Sequence, residues 1–211
     1  MKKCIIMINT LLLSLLHDIF AFLKEHRNFF QKDEKGRREL ISGKNLFPEI
    51  FEQYLGKISE TEFLYDIQNY KTFEKNKFLE TFSRYLVTDF AALLDKVTHA
   101  NSTVPKTYGL FGTMLLETLE ENSYQEITEE VSRFLEKTKK SPSTIVQTAR
   151  NISSTFREEI RKKLLGMNPM IFPIFQVNRN LIGGMRIFSN GKTLDESWFS
   201  RINTITTINI P

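Results

Sequence analysis

Cysteine occurs once in the 211 residues, as Cys4, tryptophan once, as Trp198, and histidine three times, as His17, His26 and His99. A single cysteine cannot close an internal disulfide, so a disulfide-stapled scaffold is excluded and a reducing compartment suits the chain. Three widely separated histidines have no metal-ligand spacing, and neither a metal nor another cofactor is expected. The sequence has no Gly-x-x-x-x-Gly-Lys-Ser/Thr run to cradle phosphates and no Gly-x-Ser-x-Gly nucleophile elbow. Its acids sit mostly at helix starts or on polar faces, where capping and solvation account for them. No catalytic residue is singled out, and a non-catalytic protein is expected.

A dense basic stripe with interleaved exposed aromatics is also missing, so no nucleic-acid partner is expected. The formal charge of +4 is unevenly spread: residues 141–211 carry nine Lys or Arg against four Asp or Glu, which leaves the first 140 near neutrality. Such a bias fits a membrane headgroup or an acidic protein surface, and charge alone does not choose between them. What is abundant is phenylalanine, with 18 residues, an aromatic that packs without a polar handle. Hydrophobic residues at 41% and charged residues at 26% are those of a globular chain with a core.

Lys2 and Lys3 precede an apolar run from Cys4 to Leu23. By length this run is a membrane anchor or the apolar part of a signal peptide. Asn9, His17 and Asp18 lie inside it, and an acid at the centre of a span costs about 2.5 to 3.5 kcal/mol on insertion. Leu12, Leu15, Leu16, Ile19, Phe20 and Leu23 recur at helical spacing, which fits an amphipathic core helix equally. Both readings of residues 4–23 stay open at this level.

Lys32 to Lys44 is charged and holds Gly36 and Gly43, so an exposed helix end and loop are expected. Pro48 suits the first turn of a short helix that stops at Gly56. Ser59 with Glu62, and Ser123 with Glu126, have capping-box spacing at two further helix starts. Apolar residues recurring every three or four positions from Phe73 to Val97 predict one long helix, and another begins near Pro105. Residues 1–140 are therefore expected to form a helical bundle.

After Ser141-Pro142-Ser143 the pattern changes to a strand, Thr144 to Val146, and a helix capped by Thr155 with Glu158 and closed by Gly166. Ile171 to Val177 predicts a second strand, which Pro173 pushes to a sheet edge, and Met185 to Phe188 a third. A terminal helix is expected from Asp195, carrying Trp198, Ile202 and Ile205. The fold class is thus α+β: a bundle, then a module at 141–211 of strand-helix-strand-strand-helix order.

Val177-Asn178-Arg179-Asn180-Leu181-Ile182-Gly183-Gly184-Met185-Arg186-Ile187, followed by Asn190-Gly191-Lys192, Asp195 and Ser197, resembles the C-terminal signature of the delta subunit of F-type ATP synthase. The mitochondrial member of that family is the oligomycin-sensitivity-conferring protein. The resemblance implies that Leu181, Ile182, Gly183, Gly184, Arg186, Gly191, Lys192, Asp195 and Ser197 are a structural signature without catalytic duty. It also implies a peripheral-stalk subunit on the cytoplasmic face of the cell membrane. Its N-terminal part would meet the alpha subunits of the head, and its C-terminal part the b subunit. The basic helix with Arg157, Arg161, Lys162 and Lys163 is the expected partner-binding face. The alternatives are a membrane-tethered helical adaptor anchored through residues 4–23 and a delta-like subunit of a specialised F-type ATPase.

Overall fold

The computed structural model describes residues 4–42, 44, 46–70, 75–99, 109–139, 144–167, 171–189, 191–198 and 200. The chain divides into two compact units, residues 1–134 and 135–211.

The first unit is helical. It comprises α1 (Cys4–Glu25), α2 (Glu34–Ser42), α3 (Glu49–Lys57), α4 (Glu60–Gln68), α5 (Lys77–Tyr85), α6 (Ala91–His99) and α7 (Gly109–Glu121), with most of α8 (Tyr124–Lys139). Phenylalanine fills its interior: Phe29, Phe51, Phe63, Phe78, Phe82 and Phe90 are almost fully buried. The Phe51 ring lies 6.0 Å from Phe78, 6.4 Å from Phe82 and 5.8 Å from Tyr85, which binds α3 to α5 through tilted aromatic contacts.

Helix α1 is long and apolar enough to cross a membrane, yet half of that stretch is buried inside the fold. Ile8, Leu11, Leu15, Ile19 and Phe22 form its inward stripe and Leu13 and Phe20 face out. Its polar residues are used as well. The Asp18 carboxylate accepts from the backbone N–H groups of Leu110 (3.1 Å) and Phe111 (2.7 Å) and so caps α7 from another helix. In return, Glu130 of α8 accepts from the Ile8 N–H at 3.0 Å. These are the contacts of a core helix.

The local signals hold where they are strongest. Ser59 and Glu62 make a reciprocal capping box, and Ser123 and Glu126 exchange the same pair of bonds. Three expectations need correction, and a fourth falls outside the described residues. Residues 34–42 form helix α2, with Ile41 buried and Asp33 accepting from the Gly36 N–H, where an exposed helix end and loop were expected. Pro48 is the N-cap of α3, and Gly56 lies inside its last turn, beside Arg38. The helix expected over Phe73 to Val97 is α5 and α6 joined by a π-helical turn, Leu86–Phe90, while residues 71–74 lie outside the described residues. The helix start expected near Pro105 also lies outside them, and α7 is described from Gly109.

The second unit holds β1 (Thr144–Thr148), α9 (Ser154–Met167), β2 (Pro173–Val177), β3 (Gly184–Ser189) and β4 (Lys192–Ser197). Together the chain is α+β, as expected. The sheet order is β2-β1-β3-β4, with β1 parallel to β2 and antiparallel to β3. The parallel pair needs a crossover, and α9 supplies it. Pro173 opens β2 at a sheet edge, where a missing N–H costs little. Val146, Ile160, Leu164 and Ile171 make the core, lined by Ile152, Phe175, Met185 and Ile187.

Three corrections fall here. The terminal helix does not begin at Asp195, because Lys192–Ser197 pairs with β3 as a fourth strand. Helical residues are described only at Trp198 and Ser200, and Ile202 and Ile205 lie outside the described residues. The cap of α9 is Ser153, whose hydroxyl accepts from the Phe156 N–H at 3.2 Å, whereas Glu158 pairs with Lys162. Gly166 lies within α9, which runs on to Met167.

Candidate partner-binding surface

The signature residues converge on the β3–β4 hairpin and the connection that leads into it. Gly184 has φ +74°, and a Cβ there would run into the Glu196 carbonyl oxygen of the facing strand. Glycine is required by both conformation and space. Gly183 lies under the Trp198 ring, at 2.8 Å from a Cβ built on it, and its carbonyl accepts from the Trp198 N–H at 3.1 Å. Gly191 turns the hairpin at φ +68°, with Lys192 exposed beside it.

Arg186 and Asp195 face each other across the hairpin. The guanidinium Nε and Nη2 donate to Asp195 Oδ2 at 2.9 and 2.7 Å, and the Ser197 N–H donates to Oδ1 at 2.9 Å. Bonds from Ser197, then from Arg186, hold the Asp195 carboxyl down at about 2. Ser197 is fully buried opposite Gly184, and Leu181 is buried with its N–H on the Asn178 carbonyl. The set fixes one rigid hairpin. Among the described residues no group of His, Cys, Asp and Glu is placed to hold a metal.

One large apolar signature residue points outward. Ile182 is 68% exposed, and with Trp198 at 59% and Phe156 at 40% it borders a hollow of about 430 Å³. Ile152 and Met185 line it as well, the glycine pair leaves it open, and Arg150 stands beside them. Exposed large apolar groups gathered around one hollow suit contact with another protein. Sequence reasoning did not bring Phe156 and Trp198 together at this hollow, since it placed Trp198 on a terminal helix. The available signal was the sole tryptophan standing close after the signature, a residue enriched at the centre of interfaces.

The four basic residues of α9 do not share a face. Arg157 and Arg161 are buried, with guanidinium carbons 5.4 and 5.9 Å from the Phe175 ring centroid. They bind helix to sheet by stacking over an aromatic face. Lys162 and Lys163 are exposed, and Lys162 forms an i,i+4 pair with Glu158 at 3.0 Å. Helix periodicity separates them: positions 157, 160, 161 and 164 lie along the inward stripe, and 162 and 163 on the opposite side.

Comparison with known proteins bears out the family resemblance. No curated protein matches the chain. A family model described as ATP synthase delta (OSCP) subunit matches residues 51–208, from α3 through the sheet and beyond it, while α1 and α2 precede the match. A match of that extent establishes that the chain belongs to the ATP synthase delta (OSCP) family and is a non-catalytic stalk subunit of the F-type ATP synthase complex.

Proposed function

We propose that the chain is the junction of the stator, with the helical unit gripping N-terminal segments of the alpha subunits and the second unit gripping the end of the b subunit. It sits peripherally on the cytoplasmic face of the membrane and holds the head still while the central rotor turns. The observation that carries this reading is the apolar hollow of Phe156, Ile182 and Trp198, mounted on a hairpin that Gly184 and the Arg186–Asp195 pair make rigid.

A stator junction must outlast many turnovers, and among related interfaces lifetime is set mostly by the off-rate. Aromatic anchors in a desolvated pocket supply slow release, and a surrounding positive charge sets register with an acidic stalk helix. Lys162 and Lys163 are the exposed cations of α9 suited to that rim role.

Membranes stripped of the chain test the reading. Head ATP hydrolysis should persist while ATP-driven proton pumping is lost, and adding the purified chain should restore pumping. Full pumping in its absence would reject the stator role.

A further inference from the structure

A second surface lies in the helical unit, away from every signature residue. Helices α3 and α5 pack through Phe51 and Phe78, and above that contact their exposed edges leave a groove of about 460 Å³. Its lining comes at helical spacing from both sides: Ile50, Gln53, Tyr54 and Lys57 from α3, and Lys77, Glu80, Thr81 and Arg84 from α5. Each set spans two turns, so the groove is about 10 Å long.

Its floor is apolar and firm. Tyr54 and Ile58 are buried, and the Tyr54 hydroxyl donates to the buried Asp66 carboxylate at 2.8 Å, which also accepts from the Lys77 and Phe78 N–H groups. Burial, and then the Asp66 charge, push the Tyr54 hydroxyl far above its ordinary range, so it remains a donor. Its lips are positive on both sides. Lys57 stands on one, Lys77 and Arg84 on the other, against Glu80 as the one acid of the lining. Lys77 also pairs with Glu62 at 2.5 Å.

We propose that this groove seats one helix of a partner chain whose apolar stripe is flanked on both sides by carboxylates. A groove between two packed helices accepts a third through residues at i, i+3 and i+4. Cations on both lips fit acids on both flanks of that stripe, and they select against a basic helix. The proposal is independent of the stator reading, because it specifies the chemistry of the helix and not the subunit that carries it.

The test uses the full chain and a fluorescein-labelled synthetic amphipathic helix, leucine on one stripe and glutamate on both flanks, followed by anisotropy. The glutamate peptide should bind and its lysine counterpart should not. The K57E/R84E variant should weaken binding about tenfold, as reversal of two rim charges does. T81W, which fills the groove without changing charge, should weaken it too, and K32E/K35E, an equal charge reversal at exposed residues outside the groove, should leave it unchanged. Circular dichroism confirms that each variant is folded. Absence of binding, or equal loss in K32E/K35E, would overturn the proposal. Loss of self-association or of flotation with anionic vesicles in K57E/R84E, with peptide binding intact, would assign the groove to a second copy or to lipid and overturn it as well.

Discussion

Gly184 and Gly191 share a positive φ but differ in what surrounds them, and this separates conformation from space at the scale of single residues. A Cβ at 191 meets nothing within 4 Å, so Gly191→Ala should cost only the left-handed strain, about 1–2 kcal/mol. At Gly184 the facing backbone is in the way, so Gly184→Ala should cost roughly 3 kcal/mol or more. Urea unfolding of the two variants checks the order. Glu130 gives a pH test. Burial raises its carboxyl above the ordinary range, although the bonds from Ile8 and Met7 oppose the shift. The folded chain therefore holds this proton to higher pH than the unfolded one, and stability falls as pH rises from the ordinary value of 4.5 through the raised one. Glu130→Gln should flatten that part of the profile of urea midpoint against pH. Asp195 has the opposite sign: its contribution is present above the ordinary carboxylate range and is lost as pH falls towards about 2.

Elements show where the sequence was legible. Both capping boxes were readable because each depends on residues three apart. β4 was not, since its identity rests on pairing with β3 across Gly191, while Asp195 to Trp198 taken alone fits a helix start. α2 was hidden by Gly36 and a run of charges, and it forms because Ile41 finds a buried place. The inward turn of Arg157 and Arg161 was within reach, as Ile160 and Leu164 already mark that stripe. The Trp198–Ile182 hollow was not, because it combines a strand end, a helix start and a glycine connection distant in sequence. The cap between α1 and α7 is likewise non-local. Asp18→Ala strips the acceptor from two N–H groups and should destabilise the chain by about 1–2 kcal/mol, measurable by urea melt.

At the scale of the molecule, α1 decides how the chain meets the membrane. Its buried stripe and its use of Asp18 make it part of the helical fold, so a carbonate wash should release the chain from membranes together with other peripheral subunits. Retention in the pellet would restore the anchor reading of residues 4–23. The stator account requires each unit to hold its own partner, which a single outward substitution can separate. Affinity purification of the tagged intact chain and its Ile182→Asp variant, followed by identification of the captured subunits, is the most direct measurement. Wild type should bring down alpha, beta and b, and Ile182→Asp should keep alpha and beta while losing b. Capture of b by the variant at the wild-type level, or capture of no head subunit by wild type, would contradict the account.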